Sequence, residues 1–457
     1  MPFQFRRTCA IAIASLCAAV ASAPMAQAAN VLIENVTVID GTGRPPMERA
    51  SVLIKDDRIF AVSPVAMPHE SGVQVINGAG KYLIPGLIDT HIHLAGGNMK
   101  DGKPAFDHHM AVMALHSYLW SGVTTLFDAG HEPDFIFPIR DEERSGKIIS
   151  PRLFATGNVI TVPGGYGAGG HAFLVGTDWD AIRPTLDAYF KQRKPDMQKT
   201  LADRHGVFVP LNPSLSAEQF HNVVKLANEN GIRVTVHAAS EEDYNDALDG
   251  GMDNFAHVVR FPSSDALLRR VSTKRVVMTT TLSVHDYIVK LVNDPAFLTD
   301  PFFKATMPEE MIHEHKTVDR ANFMRPNGNG TQSPFFLPIV AANIKKIYQM
   351  GGTLAAGTDR TWGPTLHMEL DLLNKNGIPM IDVIKMATLN AAMYLGKENE
   401  FGSIERGKLA DIVLLNADPL KDVKNFQAIE AVYKGGQLID RGKLDVPANE
   451  KAGTKKK

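Results

Sequence analysis

Cysteine is nearly absent from the sequence: two occur among 457 residues, Cys9 and Cys17, and both lie close to the N-terminus. The chain after residue 17 therefore cannot contain a cysteine nucleophile, a thiolate metal site or a disulfide bond. A charge excess of either sign is also absent, because 48 basic side chains are balanced by 50 acidic ones. The sequence has no basic stripe of the kind that binds nucleic acid, so we expect no nucleic-acid partner.

Long apolar runs are missing as well, and none reaches the ~18 consecutive apolar residues typical of a membrane-spanning helix. The N-terminus has a different pattern, in which Arg6 and Arg7 precede an apolar stretch at residues 9–20 and an Ala-Gln-Ala sequence at 26–28. This pattern predicts a signal peptide over residues 1–28. We expect a secreted or periplasmic protein without membrane attachment after cleavage. The alternative is an uncleaved membrane anchor.

Both ends of the remaining chain have the pattern of a small β domain. Short segments of alternating apolar and polar residues, separated by Gly, Pro and Asp, fill residues 31–83, and a similar pattern returns only after residue 409. Such segments are typical of β-strands. We therefore expect both ends to contribute to one small β-sandwich. The expected boundaries are 29–84 and 400–447 for the two parts of the sandwich and 448–457 for a basic tail.

The middle of the chain alternates β-type runs with helix-type segments about eight times. One helix is marked at its start by a capping box, Ser216 with Gln219, and at its end by Gly231. The repeated alternation predicts an α/β fold with a closed (β/α)8 TIM barrel over residues 85–399, and an open doubly wound sheet is the alternative. Residues 283–333 are too long for an ordinary connection and predict either an inserted lid or a disordered surface excursion.

Ligand-type side chains stand at the ends of several β-type runs. His91 and His93 are two residues apart in "LIDTHIHL", so both side chains project to the same side of a strand. His237, His257 and Asp359 end other runs. The carboxyl ends of all strands of a (β/α)8 barrel face one cavity, so these groups predict a metal site there. For the histidine pair, two hydrogen-bonded core residues are the alternative.

Several segments together resemble the amidohydrolase superfamily of metal-dependent hydrolases, and within it the secreted imidazolonepropionase-like and prolidase-like branch. They include "LIPGLIDTHIH", "VTVHAAS", "FAHVV", "AAGTDR" and "GSIERGKLADIVLLNADPL". The resemblance implies two divalent metal ions, Zn²⁺ with Mn²⁺ or Co²⁺ as alternatives. It assigns the first ion to His91, His93 and Asp359, the second to His237 and His257, and the bridge between them to a carboxylated Lys199.

Two details of the sequence bear on this resemblance. Lys199 in "KPDMQKT" has Lys191 and Lys194 as alternatives, and a lysine is carboxylated as the neutral amine, so we expect it to be buried with a lowered pKa. The glutamate of the H-x-x-E motif that superfamily deaminases carry is missing after His237, since Glu241 comes one position late. This departure favours a two-metal hydrolase over a one-metal deaminase.

The resemblance implies an exported dinuclear amidohydrolase that cleaves a C–N amide bond in a dipeptide, an N-acyl amino acid or a related amide. A hydroxide shared by the two metals would attack the carbonyl, with Lys199 and Asp359 as catalytic residues and Asp359 passing the proton to the leaving amine. One alternative is an ester, lactone or phosphotriester hydrolase on the same metals. An alternative of another class is a metal-containing binding protein without turnover.

Substrate contacts are expected from the glycine-rich segment "GGYGAGGH", which carries Tyr166 and His171. Arg360 follows Asp359 directly and is a candidate to hold a substrate carboxylate, with an outward salt bridge as the alternative. The expected partner is a small-molecule substrate. The sequence leaves the oligomeric state open, and a homo-oligomer is compatible with it.

Overall fold

The structure, a computed structural model, describes residues 30–100, 103–169, 171–204, 212–273, 276–326 and 328–453. The predicted signal peptide and the last residues of the predicted basic tail lie outside these ranges. Across the described residues, no helix has the length and apolar character needed to cross a membrane.

The described residues form twenty strands, most of them short and fully or partly buried. In chain order they are β1 (Val31–Val38), β2 (Met47–Lys55), β3 (Arg58–Ser63), β4 (Gln74–Asn77), β5 (Tyr82–Pro85), β6 (Leu87–Ile92), β7 (Gly97–Lys100), β8 (Lys103–Phe106), β9 (Val123–Asp128), β10 (Arg152–Ala155), β11 (Val159–Thr161), β12 (Ala172–Leu174), β13 (Met197–Ala202), β14 (Arg233–Ala238), β15 (Asn254–Phe255), β16 (Val277–Thr279), β17 (Thr353–Ala355), β18 (Ile412–Leu415), β19 (Ile429–Lys434) and β20 (Gln437–Leu438).

Fifteen α-helices lie within the same described ranges. In chain order they are α1 (His108–Trp120), α2 (Pro133–Arg144), α3 (Trp179–Arg193), α4 (Ala217–Glu229), α5 (Glu241–Gly250), α6 (Asp265–Thr273), α7 (Leu282–Asn293), α8 (Pro301–Thr306), α9 (Glu309–Glu314), α10 (Arg320–Phe323), α11 (Asn329–Gln349), α12 (Pro364–Lys375), α13 (Met380–Met386), α14 (Leu389–Leu395) and α15 (Pro447–Gly453). The predicted capping box of α4 is confirmed, since the side chains of Ser216 and Gln219 each accept a hydrogen bond from the other's backbone N–H.

Strands from both ends of the described chain share one sheet. Its order is β20-β19-β18-β5-β1-β2-β3, and β4 pairs with β1. The join between the two ends is the antiparallel pair β5–β18, in which Pro85 lies opposite Ile412. Buried side chains from both ends, including Val31, Ile33 and Leu414, form a separate apolar cluster in this sheet.

Parallel strands with intervening helices form the middle of the chain. One sheet has the order β10-β9-β6, and a second runs from β12 through β11 and β13 to β17. Backbone hydrogen bonds connect the two sheets at both sides, from Thr90 N to Ala356 O (3.1 Å) and from Asp196 N to Ala155 O (3.0 Å). The predicted α/β fold is confirmed, and the arrangement is consistent with the predicted (β/α)8 barrel.

The segment between β16 and β17 contains the predicted insertion and is largely helical. It includes α7 to α11, and α7 packs against α11. Leu291, Leu298 and Ile312 from this segment are buried in the same apolar cluster as the barrel residues. The segment is therefore folded against the barrel, and the disordered excursion considered above does not describe it.

Candidate metal centre

His91 and His93 lie where β6 ends, with His91 fully buried and the His93 side chain 43% exposed. The Nδ1 atom of His91 is 3.0 Å from Ala256 O, and that of His93 is 2.9 Å from Gly130 O. A carbonyl oxygen can only accept, so each Nδ1 carries a proton, and in the neutral imidazole each Nε2 has the lone pair. Both imidazoles are thus oriented to offer Nε2 as a metal ligand.

Asp359 approaches both histidines from the loop after β17. Its Oδ1 lies 3.3 Å from His93 Nε2 and 3.6 Å from His91 Nε2. Asp359 N donates a 2.7 Å hydrogen bond to His91 O, and the residue has a φ of 51°, in the left-handed region that a non-glycine residue rarely adopts. The ligand atoms of these three residues all lie within 4.8 Å of one another, so they could hold one metal ion.

Lys199 is the lysine that the structure places beside these histidines. It lies on β13 with 4% of its surface exposed, and its Nζ is 3.0 Å from His91 Nε2. Burial lowers the pKa of Lys199 to about 8, against the opposing effect of Asp359 and Asp128. A larger fraction of the amine is therefore neutral near physiological pH, and this is the form that can be carboxylated.

The alternative lysines lie elsewhere. Lys191 is on α3, exposed, and pairs with Asp187 at 2.6 Å. Lys194 is exposed and forms the C-cap of α3. Neither lines the cavity beside the histidines. Lys199 is thus the one of these three candidates that could contribute to the metal centre.

His237 and His257 come from the next two strand ends and extend the cluster. The His257 ring centroid lies 4.6 Å from that of His91 and 4.9 Å from that of His237. His237 Nε2 is 3.3 Å from Asp203 Oδ2, and His257 Nδ1 is 3.0 Å from Thr281 Oγ1. The carboxylate of Asp203 fixes the proton of His237 on Nε2, which leaves Nδ1 as the donor for a metal.

Electrostatics keep most of these imidazoles neutral. Burial lowers the pKa of His91 far below the usual range, and the positive charge of Lys199 reinforces the effect. Burial together with the neighbouring His91 and His237 does the same for the pKa of His257, and burial lowers the pKa of His237. Burial also acts to lower the pKa of His93, but the hydrogen bond and charge of Asp359 outweigh it, so that the net direction is upward. Neutral imidazoles are the form that binds a metal ion.

Asp359 completes this donor set as an anion. Burial acts to raise the pKa of Asp359, but the adjacent histidines hold it well below its usual range. Imidazole nitrogens together with a carboxylate are the donors that Zn²⁺ and related divalent ions prefer. The residues present therefore fit a divalent metal centre on their chemistry.

Asp89 is a supporting residue that the sequence did not reveal. Its buried carboxyl accepts hydrogen bonds from Thr358 Oγ1 (2.7 Å), Thr358 N (3.0 Å) and His91 N (3.1 Å). These bonds connect β6 to the loop that carries Asp359. Burial, outweighing the hydrogen bonds from Thr358 and His91, raises the pKa of Asp89 to about 8. The signal that could have found it is position: Asp89 precedes His91 by two residues on the same strand.

A cavity of about 400 Å³ opens above the cluster. Tyr166 lines it and stacks on His237, with ring centroids 4.8 Å apart and planes 13° from parallel. His171 also lines it and stacks on His131 at 5.9 Å. The helical segment after β16 contributes a wall that the sequence did not assign to particular residues. That wall includes Val284, His285, Ile288, Asn329, Gln332, Ser333, Phe336 and Val340.

Arg360, a candidate to hold a substrate carboxylate, lies outside the lining of this cavity. Its side chain stacks on the Tyr287 ring at 4.4 Å and donates to Val284 O at 2.9 Å. The arginine that does line the cavity is Arg260, three residues after His257.

The sequence analysis identified neither Arg260 nor Asp203, whose carboxylate bonds both Arg260 and His237. The position of Asp203 just after β13 is the signal that could have found it.

Known proteins resemble this chain over most of its length. A sequence model described as "Amidohydrolase family" matches residues 82–439. Ochratoxinase of Aspergillus niger is 34% identical over 128 residues, a match that covers 26% of this chain and only 27% of that enzyme. The 5-methylthioadenosine/S-adenosylhomocysteine deaminase of Thermoanaerobacter pseudethanolicus is 23% identical over 90% of this chain and 91% of its own length. A solved Xaa-Pro dipeptidase shares the fold, with a TM-score of 0.72 and 23% identity over 90% of this chain and 99% of that one.

Proposed function

Because the chain belongs to the amidohydrolase family, whose members are hydrolases that act on C–N bonds, we propose that it is an exported, dinuclear metal-dependent hydrolase of a small amide. The observation that carries the proposal is the approach of Lys199 Nζ to His91 Nε2, at 3.0 Å, inside a cluster of four histidines and Asp359. A carboxylated Lys199 at this position would supply oxygen ligands to ions held by these histidines and Asp359. Export rests on the sequence pattern of residues 1–28.

The first metal ion would be held by His91, His93 and Asp359, and the second by His237 and His257, with carboxylated Lys199 between them. When bound, two divalent ions, Zn²⁺ or alternatively Mn²⁺ or Co²⁺, supply Lewis-acid activation of water and of the scissile carbonyl. Side chains of the protein would perform the proton transfers. Asp359 lies where it can take the proton of the attacking water and deliver it to the leaving amine.

The surroundings of Glu241 favour cleavage of an amide over deamination. Its carboxylate accepts hydrogen bonds from Ser264 N (2.9 Å) and Ser264 Oγ (2.5 Å), and the residue does not line the cavity. It is therefore not placed to carry protons to a substrate. The similar proteins include enzymes named as deaminases and one named as a dipeptidase with bound methionine. The lack of the H-x-x-E glutamate after His237 supports a dipeptide-like amide as the substrate.

Metal analysis combined with a substrate panel tests this function. Purified protein should contain about two divalent ions per chain, lose amide hydrolysis on chelation and regain it with Zn²⁺, Mn²⁺ or Co²⁺. The panel should contain dipeptides, N-acyl amino acids, esters, lactones, a phosphotriester and an adenosine derivative. Turnover restricted to esters, lactones or phosphotriesters would replace the amide assignment. Metal content without turnover of any compound would favour a binding protein.

A further inference from the structure

The cavity contains one formally charged side chain that the metal centre does not use. Among the described residues that line it, the charged side chains are those of Lys199, Arg260 and Asp359. Lys199 and Asp359 belong to the candidate metal centre, and Arg260, which is ion-paired with Asp203, is the remaining cation that a substrate can contact. A charge in a partly enclosed cavity interacts more strongly with a ligand than it would in open water. This arrangement indicates a substrate with an anionic group.

Arg260 is held beside the second half of the metal centre. Its Nη2 donates to Asp203 Oδ2, and Asp203 in turn accepts a 3.3 Å hydrogen bond from His237 Nε2. The Arg260 side chain makes no other hydrogen bond to the residues that the structure describes, and its Nε is buried without an acceptor. Since a guanidinium has five N–H donors, it retains donors for a planar, two-oxygen group such as a carboxylate.

Part of the wall around Arg260 is apolar. The guanidinium lies 5.2 Å from the centroid of the Phe336 ring, and Val284, Ile288 and Val340 line the same cavity from α7 and α11. An apolar group next to the anion would therefore be removed from water, which stabilises binding at about 25 cal/mol per Å² of apolar surface. The sites for the anion and for the apolar group are both adjacent to the metal centre.

We propose that Arg260 binds the free carboxylate of the amino-acid half of the substrate and that α7 and α11 hold its apolar side chain. The inference rests on the proposed function, because it assigns the amine-leaving half of the amide that the metal centre would cleave. The substrate class is then an N-acyl or peptidyl amino acid with a free carboxylate and an aliphatic or aromatic side chain. Dipeptides with a charged C-terminal side chain are poor substrates.

The test compares N-acetyl-L-phenylalanine with N-acetyl-L-phenylalaninamide, which has the same scissile bond but a neutral carboxamide. Charge-assisted hydrogen bonds predict that kcat/KM of the metal-loaded wild type is about tenfold to a hundredfold higher for the carboxylate. Arg260→Met should bring the ratio close to one, mainly through KM, and Arg260→Lys should give an intermediate ratio. The matched control is Arg269→Met, which alters an exposed arginine of α6 and should leave the ratio unchanged.

A binding measurement by calorimetry separates this inference from the proposed function. The probe is 3-phenylpropanoate, which cannot be hydrolysed, and Arg260→Met should weaken its binding at least about tenfold. Equal binding to wild type and Arg260→Met overturns the inference. Equal hydrolysis of the acid and the amide also overturns it and leaves the proposed function standing. If no amide of the wider substrate panel is hydrolysed but Arg260→Met weakens binding of the probe, the proposed function fails and the carboxylate site stands.

Discussion

Replacing Lys199 with methionine should stabilise the metal-free protein while reducing its capacity for metal. Burial lowers the pKa of Lys199 from 10.5 to about 8. At about 1.4 kcal/mol per pKa unit, this difference corresponds to roughly 3 kcal/mol by which the charged ammonium destabilises the folded state. Methionine has a similar length and no charge, so it removes the destabilisation and fills the same space.

The effect has a defined pH dependence. The pKa of Lys199 is lower in the folded protein than in the unfolded chain, so the unfolded chain binds the extra proton. The destabilisation is complete below about pH 8 and disappears as the pH rises from about 8 to 10.5. The variant should therefore exceed the metal-free wild type in stability by the largest margin near neutral pH, and the two should converge in alkali.

The assay is thermal or denaturant unfolding of chelator-treated protein at several pH values, followed by elemental analysis after metal is restored. Lys199→Met should bind one ion or fewer where the wild type binds about two. In the smaller variant Lys199→Ala, formate or acetate should partly restore the second ion. Lys191→Met, at an exposed site, is the matched control and should change neither property. A metal content equal to that of the wild type, or no gain in stability at neutral pH, would refute the reasoning.

Three further predictions concern the site and its support. Asp359→Asn should lower kcat by about 10²–10⁴-fold and change the melting temperature little; a matching loss of stability would indicate a structural role. Tyr166→Ala should raise KM roughly threefold to tenfold because it loses the stacking on His237, whereas Tyr166→Phe keeps the ring and should behave as wild type in the same assay. Glu369→Ala should cost about 3 kcal/mol in unfolding measurements, since the buried carboxylate accepts hydrogen bonds at the start of α7, and Glu369→Gln should cost less. Equal losses for both Glu369 variants would contradict this reading.

Strand periodicity was sufficient to predict much of the fold and to group His91 with His93. The family resemblance is confirmed, and it directed attention to Lys199 although polar residues flank this lysine on its strand. In the folded chain, Gln198 and Thr200 are buried and hydrogen-bonded to backbone carbonyls, which explains how polar residues occupy a barrel strand.

The contacts between loops could not be read from the sequence. Arg360 follows Asp359, but adjacent residues generally project to different sides of the backbone, so proximity along the chain did not bring its side chain into the cavity. Asp203 contacts Arg260 and His237, which follow or end other strands, and Asp89 contacts Thr358 in the loop after β17. Their roles depend on the paths of those loops, which no local periodicity encodes.

The pairing of Pro85 with Ile412 has a consequence for the order in which the molecule is made. Strand β5 leads directly into β6 and its metal-binding candidate His91, yet β5 finds one of its two neighbours only when β18 has left the ribosome. A nascent chain that stops before residue 412 would leave one edge of β5 unpaired, directly before β6, the first barrel strand. Assembly of the candidate metal centre is thereby linked to synthesis of β18, and truncation before residue 412 is expected to destabilise the strand that carries His91.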